Sequence, residues 1–218
     1  ELLALKTLAS LLIYYLFLRK IYSLRTPVKT IQKLFDSSFW LGILFILEPF
    51  SVFLFIVLFI GVLLHQKITI QTIFTPFLGF LTPVFICFTY FFWFERTDEF
   101  LKLISFNFDF TFYQNQKIVW FITFAFMAAL LCAFVKSVKT ISVSNTFRKS
   151  WALILTNFVV SIFIILSLPD KNGSELFFIF FPVAVILANG IEQIKKKWIK
   201  DIIFYSFLLG SIFFRFFL

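Results

Sequence analysis

The tightest constraint on this chain is how far it runs without charge. Pro76–Phe94 covers 19 residues with no charged side chain, Ile118–Val135 covers 18 and Trp151–Leu168 covers 18. A helix rising 1.5 Å per residue needs about 20 apolar residues to cross a hydrocarbon core roughly 30 Å thick. Leu176–Ile191 adds a run of 16 residues, sufficient where flanking side chains snorkel. Leu2–Leu18 is interrupted only by Lys6, and Ile202–Leu218 only by Arg215. Composition agrees: 61% of residues are hydrophobic and 14% charged, against roughly 25% charged in a soluble domain. Soluble enzyme folds, nucleic-acid-binding domains and disulfide scaffolds are poor fits. The expected fold is all-α, a polytopic transmembrane helix bundle formed by residues 1–218 as a single integral-membrane domain. The sequence opens on Glu1 instead of Met, so a fragment lacking N-terminal spans is expected.

Residues 35–64 are less regular. Ser37–Leu47 is an uncharged run of 11 that meets Glu48-Pro49, and Phe50–Leu64 is a run of 15. Eleven residues of helix reach only about 17 Å. Proline removes a helical hydrogen bond and disfavours helix at the residue before it. The pattern predicts a helical hairpin tipped by Glu48-Pro49, either spanning fully with tilt or re-entrant. About eight apolar segments result.

The net charge of +9 is distributed unevenly. Arg19, Lys20, Arg25, Lys29 and Lys33 fall in one loop, Lys136, Lys139, Arg148 and Lys149 in another, Lys195, Lys196, Lys197 and Lys200 in a third, with Lys67 after the hairpin. If these loops share a face, that face holds 14 basic and 3 acidic residues, and the rest of the chain 6 and 8. The positive-inside rule makes this face cytoplasmic. The expectation is a multi-pass protein of the bacterial inner membrane. Arg19, Lys20, Arg25, Lys195, Lys196 and Lys197 are expected to meet anionic lipid headgroups. Trp93, Trp120, Trp151 and Trp198 lie at or beyond segment ends, as an interfacial aromatic belt requires.

Chemistry-bearing residues are few. One histidine, His65, and two cysteines, Cys87 and Cys132, do not compose a zinc or iron site. No metal or cofactor is expected, and the cysteines read as small hydrophobes within spans. Glu48 is the sharpest candidate, because an ionisable group at membrane depth is by default a functional hypothesis. The competing reading solvates it at the hairpin tip. The loop Glu95–Lys117 brings Asp98, Glu99 and Asp109 near an aromatic alternation, Phe106-Asn107-Phe108-Asp109-Phe110-Thr111-Phe112. Such an alternation makes a short strand or an interfacial segment with one apolar face. Carboxylates among aromatics suit sugar recognition or acid–base work; the plainer role is a loop resting on the membrane. In Pro169–Glu175, Asp170, Asn172 and Ser174 are placed to cap the next helix. Glu175 would favour its positive end, and it completes the catalytic candidates. Gly61, Gly79 and Gly190 are positioned for close helix contact.

Several stretches carry a resemblance. They are Arg19-Lys20-Ile21-Tyr22-Ser23-Leu24-Arg25-Thr26, Leu34-Phe35-Asp36-Ser37-Ser38-Phe39-Trp40, Pro76-Phe77-Leu78-Gly79, Lys171-Asn172-Gly173-Ser174-Glu175 and Ala188-Asn189-Gly190-Ile191-Glu192. Together they resemble an uncharacterised multi-spanning membrane family of the Bacteroidetes, a domain of unknown function. Some relatives bear the label beta-carotene monooxygenase. That chemistry needs iron held by several histidines, and this sequence offers His65 alone. More distantly, Asn172–Lys197 and Arg19–Leu64 are similar in pattern to the later and middle spans of polyprenyl-phosphate-dependent glycosyltransferases. The leading functional expectation is a non-catalytic or accessory subunit of a cell-envelope complex, whose partners are membrane lipids and other membrane subunits. The alternative is a glycosyltransferase-like membrane enzyme using a lipid-linked sugar. A transporter ranks behind both. No nucleic-acid partner is expected.

Overall fold

A computed structural model describes residues 2–66, 68–109, 116–140, 144–169, 171, 173–194, 196–198, 200–201, 205 and 209. Among these the chain is helical throughout, with no strand. The long helices are α1 (Leu2–Tyr22), α2 (Thr30–Leu47), α3 (Phe55–His65), α4 (Ile70–Trp93), α6 (Gln116–Thr140), α7 (Asn145–Ser167) and α8 (Phe177–Glu192), and α5 (Thr97–Leu103) is short. Four described segments are long and apolar enough to cross a membrane: Thr30–Leu47, Ile70–Trp93, Asn145–Ser167 and Ser174–Glu192. Seven of the eight expected apolar segments correspond to helices, and Ile202–Leu218 lies almost entirely outside the described residues.

The hairpin is longer than its uncharged run. Its first arm begins at Thr30, and 18 residues reach about 27 Å. Two charges sit in that extension, and both have local partners. Lys33 Nζ donates to the carbonyls of Ser23 and Thr26 at 2.8 and 2.9 Å, and Asp36 pairs with Lys20 at 2.7 Å. Glu48 is extended, with φ −135° and ψ 93°, as the residue before a proline must be. Pro49 then opens a 3-10 helix, Pro49–Leu54, that runs straight into α3. Six residues at about 2.0 Å and 11 at about 1.5 Å give the second arm about 28 Å. The first arm is long and apolar enough to cross a membrane, and the second, Pro49–His65, is a shorter apolar helix of comparable reach.

Two buried clusters organise the bundle. One gathers Tyr14, Phe17, Leu41, Leu58, Leu153 and Phe178 from α1, α2, α3, α7 and α8. The other joins Ala129, Phe158, Ile165 and Ile186 from α6, α7 and α8. Helices α7 and α8 contribute to both, so they tie the two halves together. Helix α4 packs on α2 and leaves its far side exposed.

The α2–α4 contact is made by glycines. A Cβ added to Gly79 would collide with Ser38 Oγ and lie 2.6 Å from the Phe35 carbonyl oxygen, and one on Gly42 would strike the Phe80 carbonyl. The backbones thus touch reciprocally, as small residues allow in membranes. Gly190 plays the same part against Cys132, whereas a Cβ on Gly61 would meet nothing closer than 3.6 Å. Of the three glycines expected at close contacts, two are so placed, and Gly42 joins them.

The interior is not wholly apolar. Pro182 has no N–H to give the carbonyl of Phe178, four residues earlier. That carbonyl instead accepts from Tyr14 Oη at 3.0 Å and Ser161 Oγ at 2.9 Å. Asn157 Nδ2 donates to Tyr14 Oη at 3.1 Å. Tyr14, Asn157 and Ser161 are fully buried. One proline in α8 therefore organises a polar junction with α1 and α7, because an unsatisfied carbonyl in a dry interior is costly.

Charge separates along the bundle. At one end Lys20 meets Asp36, Gln66 Nε2 reaches the Leu24 carbonyl at 2.6 Å, and Lys136 meets Glu192 at 3.2 Å. At the other end lie Glu48, Lys6, Lys102 and Glu175. The basic loops do share an end among the described residues. Trp93 is 80% exposed at the close of α4 and Trp198 is exposed, as belt residues are. Trp151 is a correction: it is buried, and its Nε1 donates to Ser137 Oγ at 3.0 Å, binding α7 to α6. Trp151→Phe is expected to lower stability by about 1 kcal/mol. Thermal unfolding of both proteins in one detergent measures it; an unchanged midpoint would refute a stabilising role for this bond.

Candidate functional site

A cavity of about 550 Å³ opens at the end of the bundle that holds Lys6, Glu48, Lys102 and Glu175. Five parts of the chain supply its polar lining. Lys6 comes from the start of α1, Glu48 from the hairpin tip, Lys102 from the end of α5, Asn107 from the segment after it, and Ser174 and Glu175 from the turn into α8. Leu168 and Pro169, at the end of α7, close one side. Local rules bring these residues together. The Glu48-Pro49 break turns a carboxylate out of helical register at the tip. Gly173, at φ 88°, takes the left-handed conformation that glycine adopts without strain and starts the 3-10 turn Ser174–Leu176.

The two carboxylates differ in setting. Glu48 pairs with Lys6 at 3.0 Å, their side chains 19% and 48% exposed. Glu175 is buried, 5% exposed, with Ser174 Oγ 3.4 Å from its Oε2. It stands where the turn enters α8. The expected capping by Ser174 does not occur, since no side chain caps either the turn or α8; its hydroxyl faces Glu175 instead. Asp170 and Asn172, the other proposed caps, lie outside the described residues.

The remaining candidates are placed elsewhere. Asp98 and Glu99 are exposed on the first turn of α5, and Glu99 pairs with Arg96 at 2.9 Å. Lys102, at the other end of that helix, is the α5 charge that lines the cavity. Asp109 follows Asn107 but is not a lining residue; its backbone N–H donates to the Ser167 carbonyl at 3.3 Å. The period-two segment forms no strand over its described part, 106–109, and its remainder lies outside the described residues. It does have an apolar face. Phe106 and Phe108 stack at 6.2 Å and both meet Phe50 edge-on, at 5.6 and 5.2 Å. These rings clamp the segment over the hairpin tip, and Ser105 and Asn107 beside them line the cavity.

The lipid-contact candidates lie at the opposite end. Arg19, Arg25, Lys196 and Lys197 are exposed, Lys20 is held by Asp36, and Lys195 lies outside the described residues. Sequence reasoning missed Lys6 and Lys102. Lys6 looked like an interruption in a span and Lys102 like a loop charge. Their signal was proximity to segment ends, which acquires meaning only when the ends converge. Among the described residues no three of His, Cys, Asp or Glu gather as a metal-ligand set.

A two-carboxylate, two-lysine cavity can hold a polar group that carries both hydrogen-bond donors and negative charge. No curated protein and no solved structure matches the chain. The family comparison is positive: the model of DUF6427, a family of unknown function, matches residues 5–218, and the chain belongs to that family.

Proposed function

We propose that this membrane protein handles a lipid-linked sugar at the cavity between α1, the hairpin tip and α8, as a glycosyltransferase-like enzyme of the bacterial inner membrane with its basic loops in the cytoplasm. The observation that carries the reading is the convergence of Glu48 and Glu175 with Lys6 and Lys102 in one cavity. In the proposed step, Glu175 takes the proton of an acceptor hydroxyl as its oxygen bonds to the sugar's anomeric carbon. The bond from that carbon to the lipid phosphate oxygen breaks, and the phosphate departs toward the lysines. General-base assistance of this kind contributes about 10²–10⁴-fold. The test is genetic. A strain lacking the gene should show altered envelope glycans, restored by the parent gene and not by Glu175→Gln, whose product accumulates normally. Unaltered glycans in the deletion strain would sink the proposal.

The Lys6–Glu48 pair favours a second reading. A carboxylate already neutralised by a neighbour suits binding better than proton transfer. In that reading the chain is a non-catalytic subunit of a cell-envelope complex that presents the lipid-linked molecule to another membrane subunit. Co-purification of a defined partner, together with full complementation by Glu175→Gln, would distinguish it.

A further inference from the structure

Three elements converge at the basic end of the bundle. Helices α1 and α3 run toward this end, and α7 starts from it. They meet at Gly61, where an added Cβ would lie 3.6 Å from both Ile21 Cγ2 and Leu153 Cδ1 and 3.7 Å from Leu24 Cδ1. One turn further toward the end, each element carries a basic side chain: Arg25 after Ile21, His65 after Gly61 and Lys149 before Leu153. The three are close enough that both Lys149 and Arg25 act electrostatically on the His65 ring. His65 and Lys149 are half-buried, and Arg25 is exposed. The backbone that carries Arg25 is held on both sides. Gln66 Nε2 donates to the Leu24 carbonyl at 2.6 Å, and Lys33 Nζ donates to the Thr26 carbonyl at 2.9 Å.

We infer that Arg25, His65 and Lys149 form one binding site for the headgroup phosphate of an anionic bilayer lipid, of which phosphatidylglycerol is the simplest. The site lies at the end of the bundle away from the Lys6–Glu48 cavity and does not depend on the reading of that cavity. Charge supports the anion. Among the described residues neither Arg25 nor Lys149 forms an ion pair, and two carboxylates of this end, Asp36 and Glu192, are engaged by Lys20 and Lys136. Donors from three elements can surround a phosphate and make charge-assisted hydrogen bonds to it. A loop already held in place loses little freedom when it binds. Position supports a lipid as the source. Val28, Leu63 and Ile68, each within three residues of Arg25 or His65, are 65%, 61% and 62% exposed, so apolar surface for an acyl chain begins where the basic groups stand. Charge counting marked Arg25 as a lipid contact together with five other basic residues. The fold singles out Arg25 and joins it to His65 and Lys149, which the count overlooked.

The test measures lipid dissociation constants by native mass spectrometry of the full chain in an uncharged detergent. Phosphatidylglycerol should bind at least about five times more tightly than phosphatidylcholine. Arg25→Gln, Lys149→Gln and His65→Phe should each weaken phosphatidylglycerol by about fivefold. Arg19→Gln and Lys196→Gln remove exposed charges from the same end and should change it by less than about twofold. Lys149→Arg keeps the charge and should bind as the parent does, which separates lost charge from lost folding in Lys149→Gln. Equal losses in every neutralised variant would mean diffuse attraction to a basic surface and would overturn the site. Equal binding of the two lipids overturns it as well, as does a Lys149→Arg variant no better than Lys149→Gln. Inorganic phosphate that displaces phosphatidylglycerol at equal concentration overturns the lipid assignment and makes free phosphate the ligand.

Discussion

Gly79→Ala is expected to destabilise the bundle by about 1–3 kcal/mol, while Gly61→Ala costs nothing measurable or stabilises slightly. Both substitutions add one methyl to a membrane helix, so propensity alone would make both favourable. Their surroundings differ. The new Cβ at Gly79 meets the Phe35 carbonyl oxygen at 2.6 Å and the Ser38 hydroxyl, whereas at Gly61 its nearest neighbours are side-chain methyls at 3.6 Å. A backbone carbonyl has no rotamer to escape into, so α4 must slide or lift from α2, and overpacking carries that cost. The effect should be large in consequence, because α4 is held mainly by α2. Denaturant titration in mixed micelles, followed by tryptophan fluorescence, compares the pair. Equal midpoints for the two variants would show that the close approach is not what holds α4.

Tyr14→Ala is the second large effect. Tyr14 is fully buried, packs edge-on against Phe177 and Phe178 at 6.0 and 5.4 Å, and supplies a hydroxyl to the carbonyl that Pro182 leaves free. Removing the ring empties a site between α1, α7 and α8, at about 3–5 kcal/mol for large-to-small aromatic changes. Tyr14→Phe separates the two contributions, since it keeps the ring and removes the hydroxyl. It should cost only about 0.6–1.7 kcal/mol, the range measured for hydrogen bonds between membrane helices. Ser161 continues to serve the Phe178 carbonyl in that variant. A Tyr14→Phe loss as large as that of Tyr14→Ala would mean that the hydrogen bonds, and not the ring, hold this junction.

Much of the architecture was legible before any coordinate. Uncharged runs located the spans because charge at membrane depth is costly, and the break at Glu48-Pro49 located a turn because proline cannot continue a helix through it. The start of α2 was misplaced for the same reason. Counting charges treats Lys33 and Asp36 as span-breaking, although one is held by backbone carbonyls and the other by Lys20. Trp151 shows the matching limit. Position at a segment end suggested an interfacial ring, and only packing revealed that α6 covers it.

The candidate site was half legible. Glu48 and Glu175 stood out as carboxylates beside helix breaks, and both line the cavity. Asp98 and Glu99 looked equivalent and do not, because α5 directs its last turn, with Lys102, toward the cavity.

By itself the sequence determined the helical class, the approximate spans and the gathering of basic loops at one end, since each follows from the local cost of placing charge or proline in a membrane helix. Tertiary structure alone decided which helices touch, that Tyr14 would serve a carbonyl 164 positions away, and that Lys6, Glu48, Lys102 and Glu175 would share a cavity. The physical reason is that spans apolar on every side carry no stripe to fix their rotation. Backbone contact at glycines and a few buried hydrogen bonds set that rotation, and these exist only between elements far apart in the chain.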